Sequence, residues 1–240
     1  MAAKPYFYIT SLPPLGELGS VPPVEAPELV EHVSSAPSLK RLLETILLSD
    51  DLVQREAFLS GEVKGVLPAV LSGPQTRNEA PLPEFLAAEQ QPAGRRIAVD
   101  VVWENYYRHA ATVARESRSR FLGDWTRYEV TLRNVLAAAR ARALGLEPTD
   151  YLVAADLGGP DDEVAAAVGE WSAARDPLAG LRALDAARWR WLQEHEGWYS
   201  FVNDELAAYA AKLMLVVRWQ RIAAEGEESR PTLAGRAAQP

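Results

Sequence analysis

The sequence predicts a mostly α-helical protein, a multi-helix bundle with long paired helices and a short N-terminal strand or extended arm. Two observations carry the helices. Apolar residues recur at helical spacing over stretches of more than twenty residues, and those stretches lie between clusters of proline, glycine and aspartate. A third carries the arm: Tyr6-Phe7-Tyr8-Ile9-Thr10 is aromatic and β-branched, which favours an extended segment.

Pro5, Pro13, Pro14, Pro22 and Pro23 stiffen the segment around that arm into loop. Ser38 is placed to cap a helix over 39–48, and Asp50 to cap a second piece over 51–59. From Gly61 to Pro92 glycine and proline recur every few residues, so this stretch reads as loop with a short helix near 83–89. Val99, Val102, Trp103, Tyr106, Ala110, Val113, Ala114 and Phe121 then mark one face of a long helix over 97–121. Glu104–Arg108 and Glu116–Arg120 are spaced as i,i+4 ion pairs along it.

Gly123-Asp124 reads as a break and a fresh cap. A second long helix over 124–144 follows, carrying Trp125, Tyr128, Leu132, Val135, Leu136, Ala139 and Ala143 on one face and Glu129–Arg133 on the other. Gly145 and Pro148 stop it. Asp161 caps a helix to about 174, and Asp176-Pro177 opens another to about 196, with proline at the first helical position. The last helix spans 203–224. The helices over 97–121, 124–144 and 203–224 are expected to be the longest and to pack together. The chain thus divides into an arm, short helices and loop over 1–95, a helical core over 96–225, and a polar, disordered tail over 226–240, with the first two forming one folded unit.

Composition narrows the function. Of 240 residues, 48% are hydrophobic and 24% charged, enough to bury a sizeable core. The absence of cysteine removes disulfides and thiolate metal sites, in keeping with a cytoplasmic protein. A net charge of −8 disfavours nucleic acid and anionic lipid as partners. The N-terminus lacks the apolar run of a signal peptide. No stretch is apolar enough to span a membrane, since Lys212 and Arg218 interrupt the best candidate, 206–219.

Catalytic chemistry finds little purchase. His32, His109 and His195 are far apart in sequence and share no metal-ligand spacing, so no metal is expected and the histidines read as ordinary surface or boundary residues. Asp50-Asp51 and Asp161-Asp162 lack the further spaced aspartates of a diphosphate-binding helix and suit helix N-termini instead. Gly158-Gly159-Pro160 forms neither a phosphate loop nor a dinucleotide fingerprint, and no nucleophile elbow occurs. No catalytic residue and no cofactor is therefore assigned.

Arg133, Arg140 and Arg142 share one helix, and Arg218 and Arg221 share the last. They read either as a solvated face with internal salt bridges or as donors that dock carboxylates of a partner protein. In the second reading Arg140, Arg142, Arg218 and Arg221 face outward. Seven tryptophans are many for this length. Trp189 and Trp191, two residues apart, cannot share a helix face, so one of them belongs to a contact between helices or between subunits.

Phe121-Leu122-Gly123-Asp124-Trp125-Thr126-Arg127-Tyr128-Glu129, Leu132-Arg133-Asn134 and Ala139-Arg140-Ala141-Arg142 together resemble one block of a bacterial family, domain-of-unknown-function family 2764. Leu184-Asp185, Trp189, Leu192, Phe201, Glu205-Leu206, Ala208-Tyr209, Lys212-Leu213 and Arg218-Trp219 resemble a second block, and Tyr6-Phe7-Tyr8 with Ser11-Leu12-Pro13 the family's start. Residues 25–95 carry no specific part of this likeness. The resemblance implies a protein encoded with the subunits of a bacterial V-type (A/V-type) ATPase. The first block is also similar to the C/d component of those machines, an all-helical socket between rotor shaft and membrane ring that is named C in bacteria and d in eukaryotes. It implies a non-catalytic central-stalk or assembly component that takes part in joining rotor parts during ion transport. Its partners would be other ATPase subunits, the rotor shaft or the membrane ring, and it would be peripheral at the inner membrane through them. The alternatives are a stand-alone helical protein-binding adaptor and, further off, a helical enzyme whose site the sequence does not reveal.

Overall fold

The computed structural model describes residues 5–87, 97–197 and 202–228. Among them are nine α-helices and no strand: α1 (Pro5–Thr10), α2 (Ala26–His32), α3 (Pro37–Leu59), α4 (Gly73–Thr76), α5 (Ala98–Ser117), α6 (Arg120–Ala143), α7 (Asp162–Ser172), α8 (Pro177–His195) and α9 (Asn203–Glu228). The mostly helical fold expected from the sequence is the fold found.

The expected N-terminal strand is a short helix instead. A strand needs a neighbour to satisfy its backbone, and no strand lies among the described residues to supply one. The hydroxyls of Thr10 and Ser11 donate to the carbonyls of Tyr6 and Phe7 at 2.9 Å each, closing the turn. Tyr8 is buried with its hydroxyl 2.7 Å from that of Ser35.

The larger correction is α3. The sequence suggests a break at Ser49-Asp50-Asp51, yet the helix runs unbroken for 23 residues. Ser49 donates to the Ile46 carbonyl at 2.8 Å inside the helix, and both aspartates are buried and engaged elsewhere. Ser38 likewise caps nothing: Pro37 opens the helix behind Ala36, which offers no side-chain cap.

The boundary between α5 and α6 falls four residues before Gly123. Arg118 takes a left-handed conformation (φ 54°), and Ser119 accepts from the Leu122 amide at 3.1 Å as the true N-cap. This corner separates Glu116 from Arg120. Glu116 pairs with Arg41 of α3 at 2.6 Å, Arg120 with Asp124 at 3.5 Å, and only Glu104–Arg108 forms as spaced, at 2.6 Å. Elsewhere the punctuation reads correctly. Gly145 has φ 67° just past α6, Asp161 accepts from the amides of Glu163 and Val164, and Asp176 accepts from the Ala179 amide ahead of Pro177.

Helix α3 is central. It packs on α9 along one side and on α5 along the other, while α6 packs on α5, α7 and α9. The helix with the apparent break in its sequence is thus the one both α5 and α9 lean on. The main apolar cluster joins Leu39, Leu43, Ile46 and Leu47 of α3 to Leu122, Trp125 and Leu132 of α6, Leu192 of α8 and Leu206, Leu213 and Val216 of α9. A second cluster joins Leu48 and Leu52 to Trp103, Tyr106 and Tyr107 of α5. Helix α8 is buried on two sides, so Trp189 and Trp191 both serve helix contacts. Trp191 packs on Trp125 and Tyr128 of α6, whereas Trp189 lies under Lys212 of α9. Helix α9 continues to Glu228, past its expected end. The remainder of the expected tail, 229–240, lies outside the described residues, as do Trp198, Phe201 and residues 88–89 of the expected short helix.

Candidate functional site

The five arginines singled out from sequence part company in space. Arg218 and Arg221 do not face outward. They turn into a buried ladder of charges built from four helices. Asp50 of α3 takes Arg218 at 3.0 Å and Arg221 at 2.8 Å. Asp185 of α8, fully buried, takes Arg218 at 3.4 Å, Arg188 at 2.9 Å and the Trp219 indole N–H at 3.1 Å. Arg188 then closes on Glu129 of α6 through two N–H groups, at 2.7 and 3.0 Å. Three carboxylates meet three guanidiniums, so the ladder is neutral as a whole.

That balance decides the protonation states. Burial would raise the Asp50 carboxyl, but Arg218 and Arg221 outweigh it and hold it below the usual carboxylate value. Burial would lower the guanidiniums of Arg188 and Arg218, yet their carboxylates push both further up. A pair buried in this way costs several kcal/mol to desolvate and repays it only when every partner is present. The ladder therefore fixes how α3, α6, α8 and α9 meet more than it adds to net stability.

The neighbouring Asp51 works alone. Its carboxylate accepts from the amides of Ala69, Val70 and Leu71 at 2.7–2.8 Å, pinning the loop after α3 back onto the helix. Burial pushes its carboxyl up to about 6, against those three donors and with a small addition from Asp50.

Beside the ladder lies a cavity of about 360 Å³ between α3, α5 and α6. Its wall includes Trp103, Tyr106, Tyr107 and Trp125, and one stripe of α6, Arg133, Leu136, Ala137, Arg140 and Ala141, continued by the C-cap residue Leu144. Residues spaced three and four apart form one helix face, so a single stripe delivers both arginines to the same space. Arg133, expected to pair with Glu129, instead reaches Asp100 of α5 at 3.3 Å and lies over the Trp103 ring, 4.6 Å from its centroid. Glu129 has gone to Arg188. Arg140 is exposed, lies over Trp171 of α7 at 5.2 Å and has no carboxylate partner among the described residues. Arg142 is exposed in the last turn of α6. Four exposed apolar side chains, Val53, Ile97, Leu144 and Leu146, also line this cavity, Leu144 at 72% exposure.

So three of the five arginines, Arg133, Arg140 and Arg218, border one cavity, while Arg142 and Arg221 do not. The ladder escapes sequence reasoning because its acidic members look like caps or ordinary surface carboxylates. A signal is present all the same: Asp185 and Arg188 sit three apart on a helix whose tryptophans already demand burial on two sides. The histidines are scattered. His32 meets Ser11 at 3.0 Å, His109 stacks on Phe85, and His195 stacks on Trp191. Among the described residues no cluster of histidine and carboxylate could hold a metal ion, and no helix is long and apolar enough to cross a membrane.

A family model described as a protein of unknown function (DUF2764) matches residues 38–176. The match takes in α3 and the loop after it, which carry no specific part of the likeness seen in sequence, and it ends before the expected second block at 184–219. No curated protein and no solved structure matches the chain.

Proposed function

Since the chain belongs to the DUF2764 family, we propose that it is a non-catalytic subunit of a bacterial V-type ATPase, a C/d-like central-stalk or assembly component. It acts by docking other subunits through the C-terminal end of α6, stays in the cytoplasm, and reaches the inner membrane through the complex. The observation that carries this reading is the character of that end. Arg140 and Arg142 are exposed beside Leu144 and Leu146, at 72% and 43% exposure, and Arg140 has no carboxylate partner among the described residues. Arginine flanked by apolar side chains is the composition enriched in protein interfaces. The ladder supports the same reading from within, since a part that transmits force between partners needs helices whose relative positions are fixed.

The test is affinity purification of the tagged chain from its native cell. Recovery of V-type ATPase subunits is expected, with R140E/R142E losing most of it while circular dichroism and melting stay unchanged. Surface changes of this kind cost under about 0.5 kcal/mol in stability. Purification without any ATPase subunit contradicts the ATPase assignment. Undiminished recovery by the folded double variant contradicts the docking surface.

A further inference from the structure

The cavity between α3, α5 and α6 has the make-up of a small-molecule site. At about 360 Å³ it falls in the range of ligand pockets, and five aromatic residues line it. The decisive point is the state of its polar groups. Its three carboxylates each have a donor already: Glu129 takes Arg188, Asp100 takes Arg133, and Glu56 takes the Trp103 indole N–H. The donors are not used up. Tyr107 is only 3% exposed, lines the cavity, and has no hydrogen-bond partner for its hydroxyl among the described residues. Burial keeps that phenol neutral, so it retains its proton to donate. Arg133 spends one N–H on Asp100, and Arg140 none on any carboxylate among the described residues. An occupant that brings acceptors fits these donors.

We propose that this cavity binds a small aromatic carboxylic acid, its ring among the aromatic side chains that line the cavity and its carboxylate on the Tyr107 hydroxyl and the guanidinium of Arg133, with Arg140 drawing the anion in. Arg133 and Arg140 stand two turns apart on one face of α6, about 10 Å along the axis. One can therefore grip the ligand while the other attracts it from outside. The matching neutral amide keeps one acceptor oxygen but sets an NH2 group against the remaining donor and carries no charge for the guanidiniums, so it binds more weakly.

The probe is 1-naphthaleneacetate, with 1-naphthaleneacetamide as its neutral counterpart, titrated calorimetrically into the full chain. One saturable site for the acid is expected, with the amide at least tenfold weaker. Y107F, which keeps the ring, and R140Q, at an exposed position, should each weaken the acid several-fold. A137F should fill the space and abolish binding. If Y107F fails to melt like the parent, R140Q and A137F carry the test. Equal binding of acid and amide, undiminished binding by folded A137F, or no saturable binding of the acid at millimolar concentration overturns the proposal.

Discussion

At the scale of single residues the structure turns on close approaches and buried charges. Gly180 of α8 lies against α7, where an added Cβ would stand 2.8 Å from Cδ1 of Trp171. Gly180→Ala is therefore expected to destabilise by about 1–3 kcal/mol, although alanine is the better helix former. Gly169 of α7 is exposed and has nothing within 4 Å of that position, so Gly169→Ala should stabilise by up to about 1 kcal/mol. Opposite shifts in melting temperature check the pair. Asp51 gives a pH signature. Its carboxyl is raised from 3.8 to about 6, so the folded state holds the proton more tightly than the unfolded state. Its contribution to stability is thus full below about pH 4 and lost as pH rises through about 6. Asp50 is lowered and acts in the reverse sense, contributing above its unfolded value and losing that contribution as pH falls through its folded one. Carboxyl carbon NMR should show Asp51 titrating near 6 and Asp50 below the usual range.

Individual caps are legible where the side chain answers its own helix, as Asp161 and Asp176 do. They are illegible where the answer comes from a distant part of the chain. Nothing local distinguishes an aspartate that caps a helix from one buried opposite Arg218 and Arg221, most of the chain away.

At the scale of elements, the corner between α5 and α6 is held from outside. Asp204, in the first turn of α9, accepts from the Ser119 hydroxyl at 2.5 Å and from the amides of Arg120 and Phe121 at 3.1 Å each. A carboxylate thus sits at the positive end of α6 and ties it to α9. Asp204→Ala should cost about 1–2 kcal/mol, read by denaturant unfolding, because it removes both a cap and an inter-helix link. The four-residue difference in this boundary between sequence and structure has the same origin. Gly123 looks like the break, but the left-handed residue is Arg118, and a helix that resumes at once tolerates Gly123 inside it. Long amphipathic stretches reveal α5, α6 and α9 directly. Helix α3 looks divided because three polar residues mid-helix resemble a stop until their buried partners are known.

At the scale of the whole molecule the ladder ties four helices together through one neutral set of ion pairs. Asp185→Asn keeps the shape but leaves Arg188 and Arg218 short of one carboxylate. It should cost about 3–5 kcal/mol, the penalty for an uncompensated buried charge, and equilibrium unfolding measures it. The helical class is readable from periodicity, and the arginines stand out as a set. Which of them look inward depends on packing that no periodicity encodes: Arg218 and Arg221 are committed to Asp50, leaving Arg140 and Arg142 at the end of α6. The proposed assembly role rests on that end. A photo-cross-linking amino acid placed at Leu144, irradiated in the native cell, tests it most directly. The proposed role predicts adducts with a V-type ATPase subunit, lost when R140E/R142E is added. Adducts confined to proteins outside the ATPase, or none at all from the folded and expressed variant, would contradict it.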